Sequence, residues 1–141
     1  MRIYRAGGCS LIRAGRLRLT RRRQELLTYH DSCYLGRYNG VFDAPRESLR
    51  AIPGVQLVEM VRSRSKGLCC GGGGGHMWME IRGKRRVNEI RVEEVLDTKA
   101  GTVGTACPFC LAMVDLGRKV KGAEERLQVK DIAELVVEAL E

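Results

Sequence analysis

Five of the six cysteines in this 141-residue sequence fall into three groups whose spacing suits metal ligation. The groups are Cys33 alone, the adjacent pair Cys69 and Cys70, and the pair Cys107 and Cys110. Two residues between cysteines let both sulfurs face one metal from a tight turn, and the dipole of a following helix favours a thiolate at Cys107. A single pair of this kind is typical of zinc, iron–sulfur and dithiol redox sites alike.

The adjacent pair Cys69 and Cys70 favours an iron–sulfur cluster. Neighbouring cysteines chelate one tetrahedral ion only with strain, whereas they can ligate different irons of a cluster. Five glycines follow, and we expect Gly71 and Gly72 to contact the cofactor, because a glycine backbone can approach a bulky group and donate its N–H groups to sulfur. Elsewhere such a run would indicate a flexible low-complexity loop.

The composition is compatible with one folded domain in a reducing compartment. The hydrophobic fraction of 44% excludes a disordered chain, and no apolar run reaches the roughly 18 residues of a membrane span. The N-terminus shows no apolar stretch of the kind that an export signal requires, so we expect a cytoplasmic location. Disulfides are disfavoured there, which leaves metal ligation as the leading use of the cysteines.

The net charge of +8 belongs to the first 24 residues. This segment holds eight arginines and no acidic residue, and the rest of the chain has 17 basic and 17 acidic residues. A basic arm for nucleic acid or a membrane is one interpretation. We favour an irregular, solvated leader over residues 1–24, no nucleic-acid partner, and a folded domain over residues 25–141.

From residue 25 onward the pattern alternates strands and helices. The predicted strands are 26–30, 55–60, 102–106 and 127–129, and the predicted helices begin at Asp43, Lys84, Pro108 and Asp131. The side chains expected to be buried are Val87, Ile90, Val95 and Leu96 on the second helix and Phe109, Ala112, Met113 and Leu116 on the third. This order predicts an α/β fold of Rossmann-like type, an open and mainly parallel four-stranded sheet with flanking helices.

The predicted topology brings the cysteines together. Cys33 and Cys107 each follow a strand, and Cys69 and Cys70 lie in the loop after another strand. Ligands of open parallel sheets bind at the carboxyl ends of the strands. We therefore expect all three groups at one edge of the sheet.

These residues resemble the cysteine-rich CCG domain of heterodisulfide reductase B/D-type subunits and related iron–sulfur oxidoreductases. The resemblance covers about residues 24–141 and includes Tyr29-His30-Asp31, Tyr34-Leu35-Gly36-Arg37, Asp43-Ala44-Pro45-Arg46, Ala51-Ile52-Pro53-Gly54, Met77-Trp78-Met79-Glu80 and Ala106-Cys107-Pro108-Phe109-Cys110. Two positions depart from the family pattern, Ser32 where proline is frequent and His76 where a basic residue such as arginine is common.

The resemblance implies a 4Fe–4S cluster, cubane or non-cubane, ligated by Cys33, Cys69, Cys70, Cys107 and Cys110. It implies electron transfer or disulfide reduction, with ferredoxin-like, flavoprotein or quinone-linked redox subunits as partners and an indirect, peripheral association with the inner membrane face. Family members usually carry two copies of the domain. We therefore expect this single copy to be the C-terminal part of a larger oxidoreductase, or one subunit of a split one, that needs partner domains for activity.

Other chemistries stay open from the residues alone. Four of the five cysteines would suffice for a zinc-stabilised interaction module, and Cys107 with Cys110 could act as a metal-free dithiol oxidoreductase. The case for nucleotide binding at the glycines is weak, because the phosphate-loop ending Gly-Lys-Ser/Thr is absent from the sequence.

Residues beside the cysteines have plainer interpretations. We expect Cys9 to be a free thiol, His30 to be a hydrogen-bonded core residue rather than a donor near Cys33, and Arg37 and Arg46 to be solvated. His76 is expected in a loop, at the cluster edge or facing solvent. Met77, Trp78 and Met79 are expected in the core or as an apolar cover.

Overall fold

The computed structural model describes residues 2–80, 83 and 85–140. Three residues that bound predicted segments lie outside the described residues. They are Met1 at the start of the leader, Lys84 at the start of the second helix and Glu141 at the end of the domain. The strands are β1 (Glu25–Tyr29), β2 (Val55–Val58), β3 (Thr102–Thr105) and β4 (Gln128–Asp131). The α-helices are α1 (Arg2–Arg13), α2 (Asp43–Arg50), α3 (Val87–Asp97), α4 (Pro108–Val120) and α5 (Ile132–Glu138), and 3₁₀ helices cover Arg64–Lys66 and Gly73–Trp78.

The four strands form one open, parallel sheet in the order β2-β1-β3-β4, as the sequence predicts. From β1 the chain continues to β2 at one edge of the sheet, and from β3 it continues to β4 at the other edge. The carboxyl ends of β1 and β3 therefore flank the point where the strand order reverses, which is where open α/β sheets bind their ligands.

Apolar side chains fill both faces of the sheet. On one face, Leu27 and Tyr29 of β1 pack with residues of α2 and α5, including Leu49 and Leu135. On the other, Val103 of β3 packs with Val92 of α3 and Val114 of α4, among others. The two central strands serve opposite faces, with Leu27 and Tyr29 of β1 in one core and Val103 of β3 in the other.

The buried faces predicted for α3 and α4 are partly wrong. Val87, Phe109 and Leu116 are exposed, Ala112 is exposed too, and Ile90 and Leu96 are only half-buried. The residues that are buried instead are Asn88, Arg91 and Val92 on α3 and Cys110, Val114 and Gly117 on α4, beside the correctly predicted Val95 and Met113. The reason is the close contact of the two helices, in which Gly117 of α4 lies against the backbone of Asn88 on α3. This contact buries the Gly117 side of α4 and leaves Phe109 and Leu116 exposed.

The leader is helical in part and packed, whereas the sequence predicts an irregular, solvated segment. It contains α1, which packs on α2, and Thr20 and Arg21 donate their N–H groups to the carbonyl oxygen of Ala139. Leu19 forms an isolated antiparallel bridge with Leu140. These contacts are made to distant parts of the chain, so the local excess of arginine gave no indication of them.

Candidate metal centre

All three cysteine groups lie at the carboxyl edge of the sheet. Cys33 follows β1, and Cys107 is the residue immediately before α4, whose first turn contains Cys110. Cys69 and Cys70 lie in the loop between the two 3₁₀ helices. The N–H of His30 donates to the carbonyl oxygen of Gly104 at 2.9 Å, which keeps β1 and β3 together up to the site.

Four of the five cysteines pack in one cluster. Cys70 and Cys110 are buried, with 4% and 2% of their surface exposed, and they pack with Met113, Cys69, Met77 and Cys107. Cys33 and Cys69 line one recess, together with Asp31, Ser32, Arg37, Arg64, Gly67 and Leu68, which places the fifth sulfur beside this cluster. All six cysteines of the chain are free thiols.

Hydrogen bonds among the thiols divide them into donors and acceptors. The Cys110 thiol donates to Cys107 and lowers the pKa of Cys107 to about 6, with further help from backbone N–H groups and against the effect of burial. Cys69 and Cys110 together hold the pKa of Cys70 well below the ordinary value, so the single S–H of Cys110 is shared between Cys107 and Cys70. The pKa values of the donors, Cys69 and Cys110, are raised by these same hydrogen bonds. These hydrogen bonds favour the thiolate, which is the form that binds metals, at Cys70 and Cys107.

The glycines after the cysteine pair form a close-fitting backbone cradle. Gly71 has a φ of +86°, and its N–H donates to the sulfur of Cys69 at 3.3 Å. A Cβ atom at Gly71 would lie 3.2 Å from Cβ of Val87, and one at Gly72 would lie 3.1 Å from Cγ of Met113. A side chain at either position would press on Val87 or Met113, and the positive φ of Gly71 also disfavours any residue with a Cβ.

His30 is a fully buried neighbour of the sulfurs. One of its ring nitrogens and the sulfurs of Cys70 and Cys110 all lie within 4.8 Å of one another. Its Nδ1 accepts a hydrogen bond of 2.9 Å from Nε of Arg91, a residue of α3 that is also fully buried. The sequence correctly indicates a hydrogen-bonded core histidine at position 30 but gives no sign of a role for Arg91, because a lone arginine in a helix is normally solvated.

Arg46 is buried as well, contrary to the solvated position expected from the sequence. Its guanidinium bonds Asp31 and Glu59 and lies over the ring of Tyr29, with Cζ 5.2 Å from the ring centroid. Asp31 also accepts the N–H of Arg64 at 2.7 Å, so it links β1 to the loop that leads to Cys69. Arg37, by contrast, is exposed as expected, and its Nη2 donates to the carbonyl oxygen of Gly67.

The remaining candidates lie outside this packed cluster. Cys9, on α1, donates its thiol hydrogen to Glu47 at 2.9 Å. Trp78 is 74% exposed and contacts Phe109 edge-to-face, and Met79 is also exposed. Met77 is the exception, because it packs on the cysteines as the expected apolar cover would. His76 is an exposed loop residue.

The chemistry of this donor set selects among cofactors. Thiolate sulfur is a soft ligand that suits iron–sulfur clusters and zinc and does not suit magnesium or calcium. The glycine cradle supplies an N–H donor toward sulfur, from Gly71 to Cys69. The residues therefore fit an iron–sulfur cluster, and the role of the five cysteines as its ligands stays a prediction.

Comparison with known proteins gives the family. The family profile described as the cysteine-rich domain CCG matches residues 27–115, a segment that contains all five grouped cysteines. The chain belongs to the CCG family of cysteine-rich domains. The resemblance found in the sequence is thereby confirmed.

The relatives of this CCG domain include several redox proteins. It is 49% identical to the probable iron–sulfur-binding oxidoreductase FadF of Bacillus subtilis over 92% of the chain. It is 40% identical to the EtfAB:quinone oxidoreductase of Syntrophomonas wolfei over 93% of the chain. It is also 42% identical, over 92% of the chain, to the D-type subunit of the dihydromethanophenazine:CoB–CoM heterodisulfide reductase of Methanosarcina barkeri.

The chain matches only a part of each of these relatives. It spans 18% of the Bacillus protein, 19% of the Syntrophomonas protein and 31% of the Methanosarcina protein. No solved structure matches it. Within the described ranges, none of the helices combines the length and apolar character needed to cross a bilayer.

Proposed function

We propose that this CCG domain binds one 4Fe–4S cluster, cubane or non-cubane, through Cys33, Cys69, Cys70, Cys107 and Cys110. The observation that carries the proposal is the buried, hydrogen-bonded group of thiols around Cys70, which lies where a doubly wound sheet binds its ligand. Cysteines packed this closely can all be thiolates, the form that binds metal, only if a cation neutralises their charge. Iron–sulfur clusters provide that neutralisation.

The function we propose is electron transfer within a larger oxidoreductase. In support, relatives that match nearly the whole chain are named as an iron–sulfur-binding oxidoreductase, a quinone oxidoreductase and part of a heterodisulfide reductase. Because the chain spans a third or less of each, the donor and acceptor are proposed to be other redox subunits or domains, ferredoxin-like, flavoprotein or quinone-linked. We assign the cluster to residues 25–141 and expect a cytoplasmic location, with any attachment to the inner membrane face made by the partners.

A bound 4Fe–4S cluster supplies a site that gains and loses one electron. The protein supplies the environment for that exchange. Met113 and Met77 pack on the sulfurs and limit water, Gly71 donates its N–H to Cys69, and the N–H of Gly72 lies beside Cys70. Donors to sulfur and the exclusion of water both influence the reduction potential of such centres.

The test of this function is a redox titration of the anaerobically purified chain. The thiolate–iron absorption should bleach on reduction and return on reoxidation over several cycles, with an EPR signal that appears and disappears in step. A chain that holds iron but loses it on the first reduction would refute a role in electron transfer.

One observation favours a second candidate, a metal-free dithiol oxidoreductase. Cys107 lies at the N-terminus of α4 with a pKa of about 6 and takes a hydrogen bond from the buried Cys110. In this reaction the Cys107 thiolate attacks a substrate disulfide and forms a mixed disulfide with one substrate sulfur. Cys110 then attacks the sulfur of Cys107 and releases that substrate sulfur. The two substrate sulfurs leave with two electrons, one as a thiol with the proton of Cys110 and one as a thiolate that takes a proton from water, and a Cys107–Cys110 disulfide remains.

Replacement of cysteines outside this pair separates the two functions. Disulfide reduction by Cys107 and Cys110 alone survives Cys33→Ala and Cys69→Ala. The cluster proposal predicts that both replacements abolish cluster assembly. Iron content and disulfide reduction measured on the same preparations decide between them.

A further inference from the structure

His30 is the nitrogen-bearing side chain that lies against the cysteine sulfurs. It has no exposed surface, and it sits at the end of β1 between Arg91 on one side and Cys70 and Cys110 on the other. Geometrically it could be a metal ligand, since its nitrogen and the two sulfurs lie within 4.8 Å of one another. The hydrogen bonding of its ring excludes this role as a metal ligand.

Arg91 fixes which ring nitrogen carries the proton. Nε of a guanidinium can only donate, so Nδ1 of His30 must accept the 2.9 Å hydrogen bond with its lone pair. An imidazolium carries a hydrogen on both ring nitrogens and could not accept this bond, so the ring is neutral. A neutral imidazole with a lone pair on Nδ1 has its hydrogen on Nε2.

The position of Arg91 is itself fixed. Its Nη1 donates to the carboxylate of Glu94 at 2.7 Å and to the carbonyl oxygen of Arg62 at 2.8 Å. Glu94 also accepts Nε of Arg62. Arg91 is fully buried, and these bonds hold its guanidinium with Nε directed at the ring of His30.

The acceptor for the proton on Nε2 is a cysteine sulfur, and of the two nearby sulfurs it is that of Cys70. Nε2 has no nitrogen or oxygen partner among residues 2–80, 83 and 85–140, and Cys70 is the group that lies beside it. A protonated nitrogen has no lone pair for a metal, and the lone pair on Nδ1 is occupied by Arg91. His30 can therefore donate to a cysteine sulfur but cannot ligate iron or zinc.

We propose that Arg91 holds His30 as an N–H donor to the sulfur of Cys70, which makes both of them positioning residues for the cluster. This inference rests on the proposed function, because the sulfur is taken to be a ligand of iron. A hydrogen bond to a ligand sulfur stabilises the more negative, reduced form of a cluster, and its loss lowers the reduction potential.

The first test is the reduction potential of the loaded chain in three variants. His30→Phe removes the donor and should lower the potential, His30→Gln supplies an amide N–H and should restore part of the shift, and His76→Gln, at an exposed histidine, should leave it unchanged. Arg91→Lys should lower the potential with iron content unchanged, since it frees Nδ1 to compete for the proton. Equal potentials in wild type, His30→Phe and His76→Gln would overturn the inference.

The second test separates a donor from a ligand. Pulsed EPR on the reduced, ¹⁵N-histidine-labelled chain should show a weak nitrogen coupling that disappears in His30→Phe, together with an exchangeable proton coupling that deuterium oxide removes. A strong coupling typical of a directly bound nitrogen, with loss of iron in His30→Phe, would overturn the inference.

Failure of this inference is distinguishable from failure of the proposed function. The tautomer of His30 can be read by ¹H–¹⁵N NMR in the iron-free chain under reducing conditions, where we expect the proton on Nε2 and the lone pair on Nδ1. A proton on Nδ1 overturns the inference whether or not iron binds. If the wild-type chain never takes up iron and sulfide, the proposed function fails, and with it the assignment of Cys70 as the ligand that His30 supports.

Discussion

The guanidinium of Arg46 donates to both carboxylate oxygens of Asp31, from Nη1 at 2.7 Å and from Nη2 at 2.8 Å. Both side chains are buried, with 0% and 4% of their surface exposed. Arg46 belongs to α2, and Asp31 lies two residues before Cys33 and accepts the N–H of Arg64. This pair therefore links one flanking helix to two of the loops that carry the cysteines.

Asp31→Asn should destabilise the chain by about 3 kcal/mol at neutral pH, because it leaves the buried charge of Arg46 without its main partner. The matched control is Glu59→Gln, at the other carboxylate that bonds Arg46. It should cost about 1 kcal/mol or less, since the side chain of Glu59 is 35% exposed. Urea unfolding of the three proteins measures both values. Equal losses of unfolding free energy in the two variants would show that the bidentate pair of Arg46 and Asp31 stabilises the chain no more than the pair of Arg46 and Glu59.

The stabilising effect of Asp31 should also depend on pH. Burial tends to raise the pKa of this carboxyl, but hydrogen bonds from Arg46 and Arg64 outweigh it and lower the pKa in the folded chain. The stabilisation is therefore complete above the unfolded pKa of about 3.9 and is lost as the pH falls through the lower folded value. The difference in unfolding free energy between wild type and Asp31→Asn should shrink as the pH is lowered below about 4. A difference that stays constant over this range would contradict the assignment.

Gly117→Ala should destabilise the packing of α3 on α4 by about 1–3 kcal/mol. A Cβ at this position would lie 2.8 Å from the carbonyl oxygen of Asn88 and 2.9 Å from Cγ2 of Val92, so the helices would have to separate. Gly101→Ala is the control, because nothing lies within 4 Å of a Cβ there. Thermal unfolding should show a lower midpoint for Gly117→Ala alone, and an unchanged midpoint would mean that the helices are not in close contact.

Cys107, which is only half-buried, should become reactive at low pH in the iron-free chain. Its pKa of about 6 lies below the ordinary 9.0, so its alkylation by iodoacetamide should rise through about pH 6. In Cys110→Ala the pKa should move back toward the ordinary value, since the thiol that donates to Cys107 is gone. Peptide mass spectrometry after timed alkylation follows each cysteine separately. A titration of Cys107 near pH 9 in wild type would contradict the hydrogen bonding described for the site.

Iron binding should depend on the grouped cysteines and not on Cys9. Cys70→Ala removes the sulfur that bonds both Cys69 and Cys110, and we expect it to lose all or most of the iron. Cys9→Ala is the matched control, because Cys9 lies on α1 and bonds Glu47. Iron per chain after anaerobic reconstitution compares the two, with circular dichroism to confirm that both variants are folded. Full iron in Cys70→Ala would remove this cysteine from the ligand set.

Much of the fold and the grouping of the cysteines could be predicted from the sequence. The strands after Gln24 and before Cys107 are marked by apolar runs, and parallel connections bring the ends of such strands to one edge. The backbone at Gly71 and Gly72 does pass close to its surroundings, to Val87 and Met113, while the predicted contact of these glycines with a cofactor stays a prediction.

The arginines could not be placed in this way. Arg46 and Arg91 are buried because Asp31, Glu59, Glu94 and His30, distant in the chain or on the next helical turn, meet their guanidinium groups. A sequence pattern shows the charge but not the partners that make its burial tolerable. The exposed Phe109 and Leu116 were misassigned for a related reason, since the contact of Gly117 with Asn88 decides which face of α4 is buried.

The central claim, that the five cysteines hold an iron–sulfur cluster, is tested most directly by measuring iron, zinc and acid-labile sulfide on the anaerobically purified chain. Zinc and mononuclear iron sites contain no inorganic sulfide, so sulfide separates a cluster from both. We predict about four irons and a similar amount of sulfide per chain, with little zinc. One zinc per chain with no sulfide, in protein never exposed to air, would contradict this claim.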